Sequence, residues 1–322
     1  MALPNSIVTY VNVCEQNIVP VERAQLSKSQ GVSDMKIAKV ETQRCIIGEG
    51  PLWDVAEQAL YYIDILGKKV LRFDPSSGET QYWDMPDVIG SMALRANGGA
   101  VVALATGVHT LDFDTGACAM LATSSDLNDM VQLADGKVDR RGRFIVGSSD
   151  RGMVEARGKL YVLENITTLR EIDNDIIIAN GPCWSPDDKV LYHSDSIRNT
   201  VFAYDYDIES GTAANRRVWA STEDLGGISD GATIDTDGCM WMAICEGQKV
   251  VQFRPDGALE RVIDMPVKCP ASVMFGGAAL DQLYVTSLSP AFLGREEAPL
   301  DGCSFVIEGL GVTGLPEPRY AG

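Results

Sequence analysis

Three oxygen-bearing side chains recur in the same local setting at distant points of the chain. Glu49 lies in IIGEGPLWD, Asn180 in IIIANGPCWSPD and Asp230 in GGISDGATID. Each follows a mostly apolar run and precedes a glycine. Two carboxylates and an amide oxygen form a hard donor set suited to Ca2+, Mg2+ or Mn2+. Brought together in a partly dry pocket without a cation, Glu49 and Asp230 would repel each other. The same residue types also cap strands and form turns, so spacing alone leaves both readings open.

Other chemistries find less support. The chain has only two histidines, His109 and His193, which disfavours sites needing several imidazoles. His193 could shuttle protons if it faced a channel, but such a residue is more often a half-buried strand residue. His109 falls in an outer hairpin. Glu246 follows MWMAIC and precedes Gly247, which makes it a candidate substrate contact or second acid, or a turn carboxylate. Asp135 and Asp195 are candidate supporting polar residues. GISDG (227–231) matches GxSxG by letters only, because GGISDG lacks the strand-to-helix setting of a nucleophile elbow. GGISDG lacks the strand-to-helix setting and lysine of a phosphate loop. The eight cysteines are scattered with no CxxC pair, which points to reduced thiols in a cytoplasmic protein and to no thiolate metal site.

The elements that must position these residues read as β. Helical periodicity is sparse, and short β-rich runs alternate with Gly, Asp and Asn turns. A strand–turn–strand unit appears as PLWDVAEQALYYIDI, MALRANGGAVVALA, KVDRRGRFIVGSS, PCWSPDDKVLYHSDS, GATIDTDGCMWMAI and ASVMFGGAALDQLYVTS. The copies recur at intervals of roughly 40 to 50 residues, the range of propeller blades. A second hairpin follows most copies, as in VLRFDPSSG, HTLDFDTG, VFAYDYDIESG and VVQFRPDG. Six units of four strands predict an all-β fold, a six-bladed β-propeller with four-stranded blades. MKIAKVET (residues 35–42) is expected to close the ring by joining the last blade. Innermost strands line a central channel, so polar residues entering them can meet at one point.

With the motifs GEGPLW, DGKVDRRGRFIVG, NGPCWSPD with YDYDIESG, and SDGATIDTDG before MWMAI, the chain resembles the SMP-30/gluconolactonase/luciferin-regenerating family. The resemblance spans about residues 36 to 288. It implies a six-bladed propeller with one catalytic divalent cation in the channel and hydrolysis of lactones, often sugar lactones. Ca2+ is the first expectation, with Zn2+, Mn2+ and Mg2+ open. Carried over, Glu49 and Asn180 match the family's metal ligands, and Asp230 matches the aspartate that binds metal and serves as general base. The substrate would be a small-molecule lactone or ester.

One stretch departs from the family. Its sugar lactonases commonly carry Arg-x-Asn-Asp-Gly before the third repeat, where this chain has Gln132-Leu133-Ala134-Asp135-Gly136. A bidentate charged donor and an amide are gone. The preceding loop carries Leu127, Met130 and Val131, and Met153 follows in DRGMVEARG. Met130 and Met153 either line an apolar rim over the metal or pack beneath the loop. The first expectation stays a sugar-lactonase-like hydrolase, but these substitutions weaken the case for a polyhydroxylated substrate. Alternatives are a non-sugar lactone, an enol-lactone or another ester, a lyase or isomerase reaction at the same metal, or a metal-bearing binding protein.

Composition bounds the remainder. The 322 residues carry 27 Lys plus Arg against 45 Asp plus Glu, a formal charge of −18. Such a chain repels phosphate backbones and anionic lipid, so neither nucleic acid nor a membrane surface is expected as partner. No run approaches the roughly 20 apolar residues of a membrane span. Residues 1–34 read as an N-terminal extension without a secretory signal, and 35–322 as a single propeller domain. Oligomeric state is left open.

Overall fold

The computed structural model describes residues 35–164 and 166–322, so the expected 1–34 extension lies outside the described residues. Among the described residues, 24 strands form six four-stranded antiparallel sheets, the blades of a propeller. Among these residues helix is confined to two short 3-10 turns, Glu223–Leu225 and Pro290–Leu293. No helix among the described residues is long and apolar enough to cross a membrane.

Five sheets take four consecutive strands in order. The sixth joins both ends of the chain. Lys36–Val40 pairs with Ser304–Glu308, Lys36 opposite Glu308 and Val40 opposite Ser304. The strand expected over 35–42 therefore closes the ring, and the last blade gains its outermost strand.

The core is a ring of six apolar layers, each filled by two neighbouring sheets. In one, Tyr61, Ile63 and Val70 meet Ile89, Leu94 and Val102. In another, Trp53, Leu60 and Tyr62 meet Met274 and Tyr284. Full burial of such a side chain contributes about 1.5–3 kcal/mol. Inner strands such as Ile228–Ile234 and Pro270–Gly276 are buried throughout. Outer strands such as Glu79–Asp84 carry mostly exposed or partly exposed residues.

The turns show why Asp and Gly punctuate the repeat. In the second hairpins Asp74, Asp112 and Asp207 accept backbone N–H bonds from residues two or three further on. Each hairpin ends on a glycine with φ of 66–75°, a conformation costly for other residues.

The C-terminal segment crosses the far mouth of the channel. Thr236 N donates to Thr313 O and Ala321 N to Gly142 O, both 2.9 Å, and Arg319 pairs with Asp54. Asp54, Gly142 and Thr236 belong to first-hairpin turns of three different blades. Between this segment and the inner strands, two spaces of about 30 and 10 Å³ remain, room for little beyond single waters.

Candidate active site

Every inner strand loses register near its start. The breaks fall between Glu49 and Leu52, Ile89 and Ser91, Leu133 and Gly136, Asn180 and Cys183, Ser229 and Ala232, and Pro270 and Ser272. Such a bulge bends a strand and re-aims the side chains beside it. Glu49 and Asn180 stand at the leading edge of their breaks, and Asp135 and Asp230 inside theirs. The other two breaks enclose Gly90 and Ala271, which offer no polar side chain. Gly50 and Gly181 hold φ of 51° and 61°, so a glycine after Glu49 and Asn180 is a backbone requirement. Gly231 answers to space instead, because a Cβ there would meet Ser272 Oγ at 1.8 Å.

The polar groups interlock. Asn180 Nδ2 donates to Asp230 Oδ1 at 2.8 Å and to Ser196 Oγ at 3.0 Å. Gly50 N donates to Glu49 Oε2 at 2.9 Å. Asp135 accepts from Gly136 N at 2.7 Å and from Gly181 N at 2.8 Å. Two further carboxylates hold the strands that carry Glu49 and Asn180. Asp64 accepts from Ile46 N and Ile47 N, just ahead of Glu49. Asp195 accepts from Ile177 N and Ile178 N, just ahead of Asn180.

Burial and mutual repulsion set the electrostatics. Glu49 is 8% and Asp230 7% exposed. Burial first, then the charge of Asp135, pushes the Glu49 carboxyl up to about 8. Burial, then the charges of Glu49 and Asp135, holds Asp230 well above the usual carboxylate range. Asp135 is raised as well, chiefly by burial. Three acids in one desolvated spot need a proton or a cation between them. Among the described residues, no three His, Cys, Asp or Glu side chains form a metal cage by themselves. Glu49 and Asp230 with the Asn180 amide nevertheless fit a hard cation in donor chemistry.

These residues form the floor of a cavity of about 290 Å³. Of the candidates read from sequence, Glu49, Asn180, Asp230, Gln132 and Met153 line it. Met130, Glu246 and His193 do not. Met130 is 47% exposed. Glu246 is engaged by Arg295 at 2.6 Å and Lys268 at 2.7 Å. His193 is fully buried, edge-on to Tyr204, and burial pushes its imidazole down to about 3. Ser194, its neighbour, is the residue opposite Asn180.

The cavity also contains residues given little or no weight in the sequence reading. Asp135 carried the same signal as the others, an oxygen donor before glycine, but was read only as a supporting residue. Ser196 and Arg151 enter from the ends of second strands, where no motif marks them. The walls are largely apolar, with Ile65, Leu66, Val88, Ile178, Leu288 and Phe292.

A six-bladed ring with acids and an amide converging on one channel mouth defines a propeller protein with a built polar floor beneath an apolar well. The SMP-30/Gluconolactonase/LRE-like region model matches residues 47–289. The chain belongs to this family. It is 35% identical to regucalcin of Oryctolagus cuniculus over 90% of this chain and 100% of the relative. It is 33% identical to 6-deoxy-6-sulfogluconolactonase of Pseudomonas putida over 88% of this chain and 99% of the relative. Among solved structures, a luciferin-regenerating enzyme superposes with a TM-score of 0.83 at 27% identity, covering 89% of this chain and 100% of that one.

Proposed function

We propose that the protein is a lactonase, a carboxylic ester hydrolase that opens a cyclic ester above Glu49, Asn180 and Asp230. The observation that carries this is the meeting of those three side chains at the floor of one cavity. Membership of a family that includes a named lactonase supports it.

Glu49, Asn180 and Asp230 would hold one divalent cation; the all-oxygen donor set suits Ca2+, Mg2+ or Mn2+, and Ca2+ is taken first. When bound, the cation supplies Lewis-acid polarisation of the ring carbonyl and balances charge developing on its oxygen. Asp230 takes the proton from the attacking water as its oxygen bonds to the carbonyl carbon. The ring C–O bond then breaks, and the departing alkoxide is protonated to give a hydroxy acid. The Asn180 amide, donating to Asp230 Oδ1, aims that carboxylate, and Ser196 in turn fixes the amide. The apolar walls keep bulk water from the floor and so strengthen its electrostatics.

The walls also bear on substrate. Gln132 offers one neutral amide and Ala134 a methyl group where sugar lactonases of the family commonly carry Arg and Asn. This favours a lactone with few hydroxyls over an aldonolactone. Replacing Asp230 with Ala, and separately removing metal with a chelator, tests the reading by pH-stat assay on a panel of sugar and alkyl lactones. Each treatment is expected to cut turnover by about 10²–10⁴-fold. Undiminished turnover after either one would falsify it.

A further inference from the structure

One charged group on the cavity wall has no part in this chemistry. Arg151 lines the cavity, and its Nε is buried without a hydrogen-bond partner among the described residues. The adjacent carboxylate is committed elsewhere. Asp150 accepts from Arg157 at 2.6 Å and from the N–H groups of Val154 and Glu155 at 3.1 and 3.2 Å.

Strand geometry fixes the direction in which Arg151 works. Gln132 lies opposite Ser149 in the paired strands. Arg151 follows two residues on, and its own N–H donates to Met130 O at 2.8 Å. Alternation sends Ser149 and Arg151 to one face, the face Gln132 shares. All three line the cavity. An arginine is thus returned to this wall from the neighbouring strand, close to the position where Gln132 stands.

A buried guanidinium N–H without a partner is an open donor, and a planar oxyanion matches a guanidinium in both charge and shape. The same cavity is lined by the apolar Leu66, Val88 and Phe292, and Asp150 beside Arg151 is already engaged by Arg157. The cavity lining therefore combines an acidic set, Glu49, Asp135 and Asp230, with one arginine, Arg151. We infer that Arg151 is a specificity-determining residue that holds an anionic substituent, a carboxylate or comparable oxyanion, on a lactone bound over the acidic floor. The inference rests on the lactonase reading for the identity of the scissile group, but the anion contact does not require hydrolysis.

Two measurements on the Ca2+-loaded full chain test it. The first compares kcat/KM for a γ-lactone carrying a ring carboxylate with that for its methyl ester, in wild type, Arg151→Gln and Arg151→Lys. Wild type is expected to favour the carboxylate by about 10-fold or more, with the preference expressed in KM. Arg151→Gln erases the preference, and Arg151→Lys keeps part of it, because charge survives while the fork is lost. A preference unchanged in Arg151→Gln overturns the inference. The second measures binding of tetrahydrofuran carboxylate, which has no lactone bond, and of its methyl ester by calorimetry. Tighter binding of the carboxylate in wild type only supports the contact, and equal affinities overturn it. If neither lactone is opened, the lactonase reading fails and calorimetry still decides the role of Arg151. A purely structural arginine would lower the melting temperature of Arg151→Gln, whereas a side chain with an unanswered Nε leaves it unchanged.

Discussion

At the residue scale, the cavity is tuned by what its strand breaks carry. Four carry an Asp, Glu or Asn inside or at the edge of the break, and the other two enclose Gly90 and Ala271 with Ser91 and Ser272 at their edges. Ala134 and Gln132 sit on the wall beside that floor. The double substitution Gln132→Arg with Ala134→Asn restores a charged fork and an amide to this wall. It is expected to raise kcat/KM for an aldonolactone relative to an alkyl lactone by about 10-fold, the scale of one added charged hydrogen bond. Parallel kinetics on the two substrates checks this. Glu49, Asn180 and Asp230 were legible in sequence because each couples an oxygen donor to a required glycine. Arg151 was not, because a lone arginine after a strand looks like any solvated charge until its neighbours are known. His193 misled for the opposite reason. A histidine among Tyr, Ser and Asp suggests a polar channel, yet the second strand of a blade turns it into the layer between sheets.

At the element scale, buried aspartates hold loops in place. Asp195 fixes the approach to Asn180 through two backbone N–H groups. Asp195→Ala strands those donors and is expected to cost about 1–3 kcal/mol, with weaker Ca2+ binding because Asn180 loses its fixed position. Chemical denaturation and calcium titration report the two effects separately. Asp150 does similar work for the loop that bears Arg151 and Met153. Burial alone would raise its carboxyl, but Val154 N, Arg157 and Glu155 N outweigh burial and hold it below the usual carboxylate range. A carboxylate with a native value below its unfolded one, about 3.9, stabilises the fold above that unfolded value. The contribution disappears as pH falls through the native value. Asp150→Asn should therefore melt below wild type at neutral pH, and the gap should close under acid conditions in a pH series of thermal scans.

At the scale of the whole molecule, the ring depends on Lys36–Val40. Removing residues 36–40 leaves Ser304–Glu308 as an open edge. The expected result is a melting temperature lower by about 10 °C and concentration-dependent aggregation, read by calorimetry and light scattering. The blades were legible because each carries its own turn signals and pairs mostly with itself. The segment after Glu308 was not. Its sequence, GLGVTGLPEPRYAG, has no strand pattern, and its partners are turns on blades far away in the chain.

That segment has a consequence for traffic. With the far mouth covered and only water-sized gaps behind it, the well has a single doorway among the described residues. A newly opened hydroxy acid must back out along the route by which the next lactone arrives, so departing and incoming molecules queue at the same threshold.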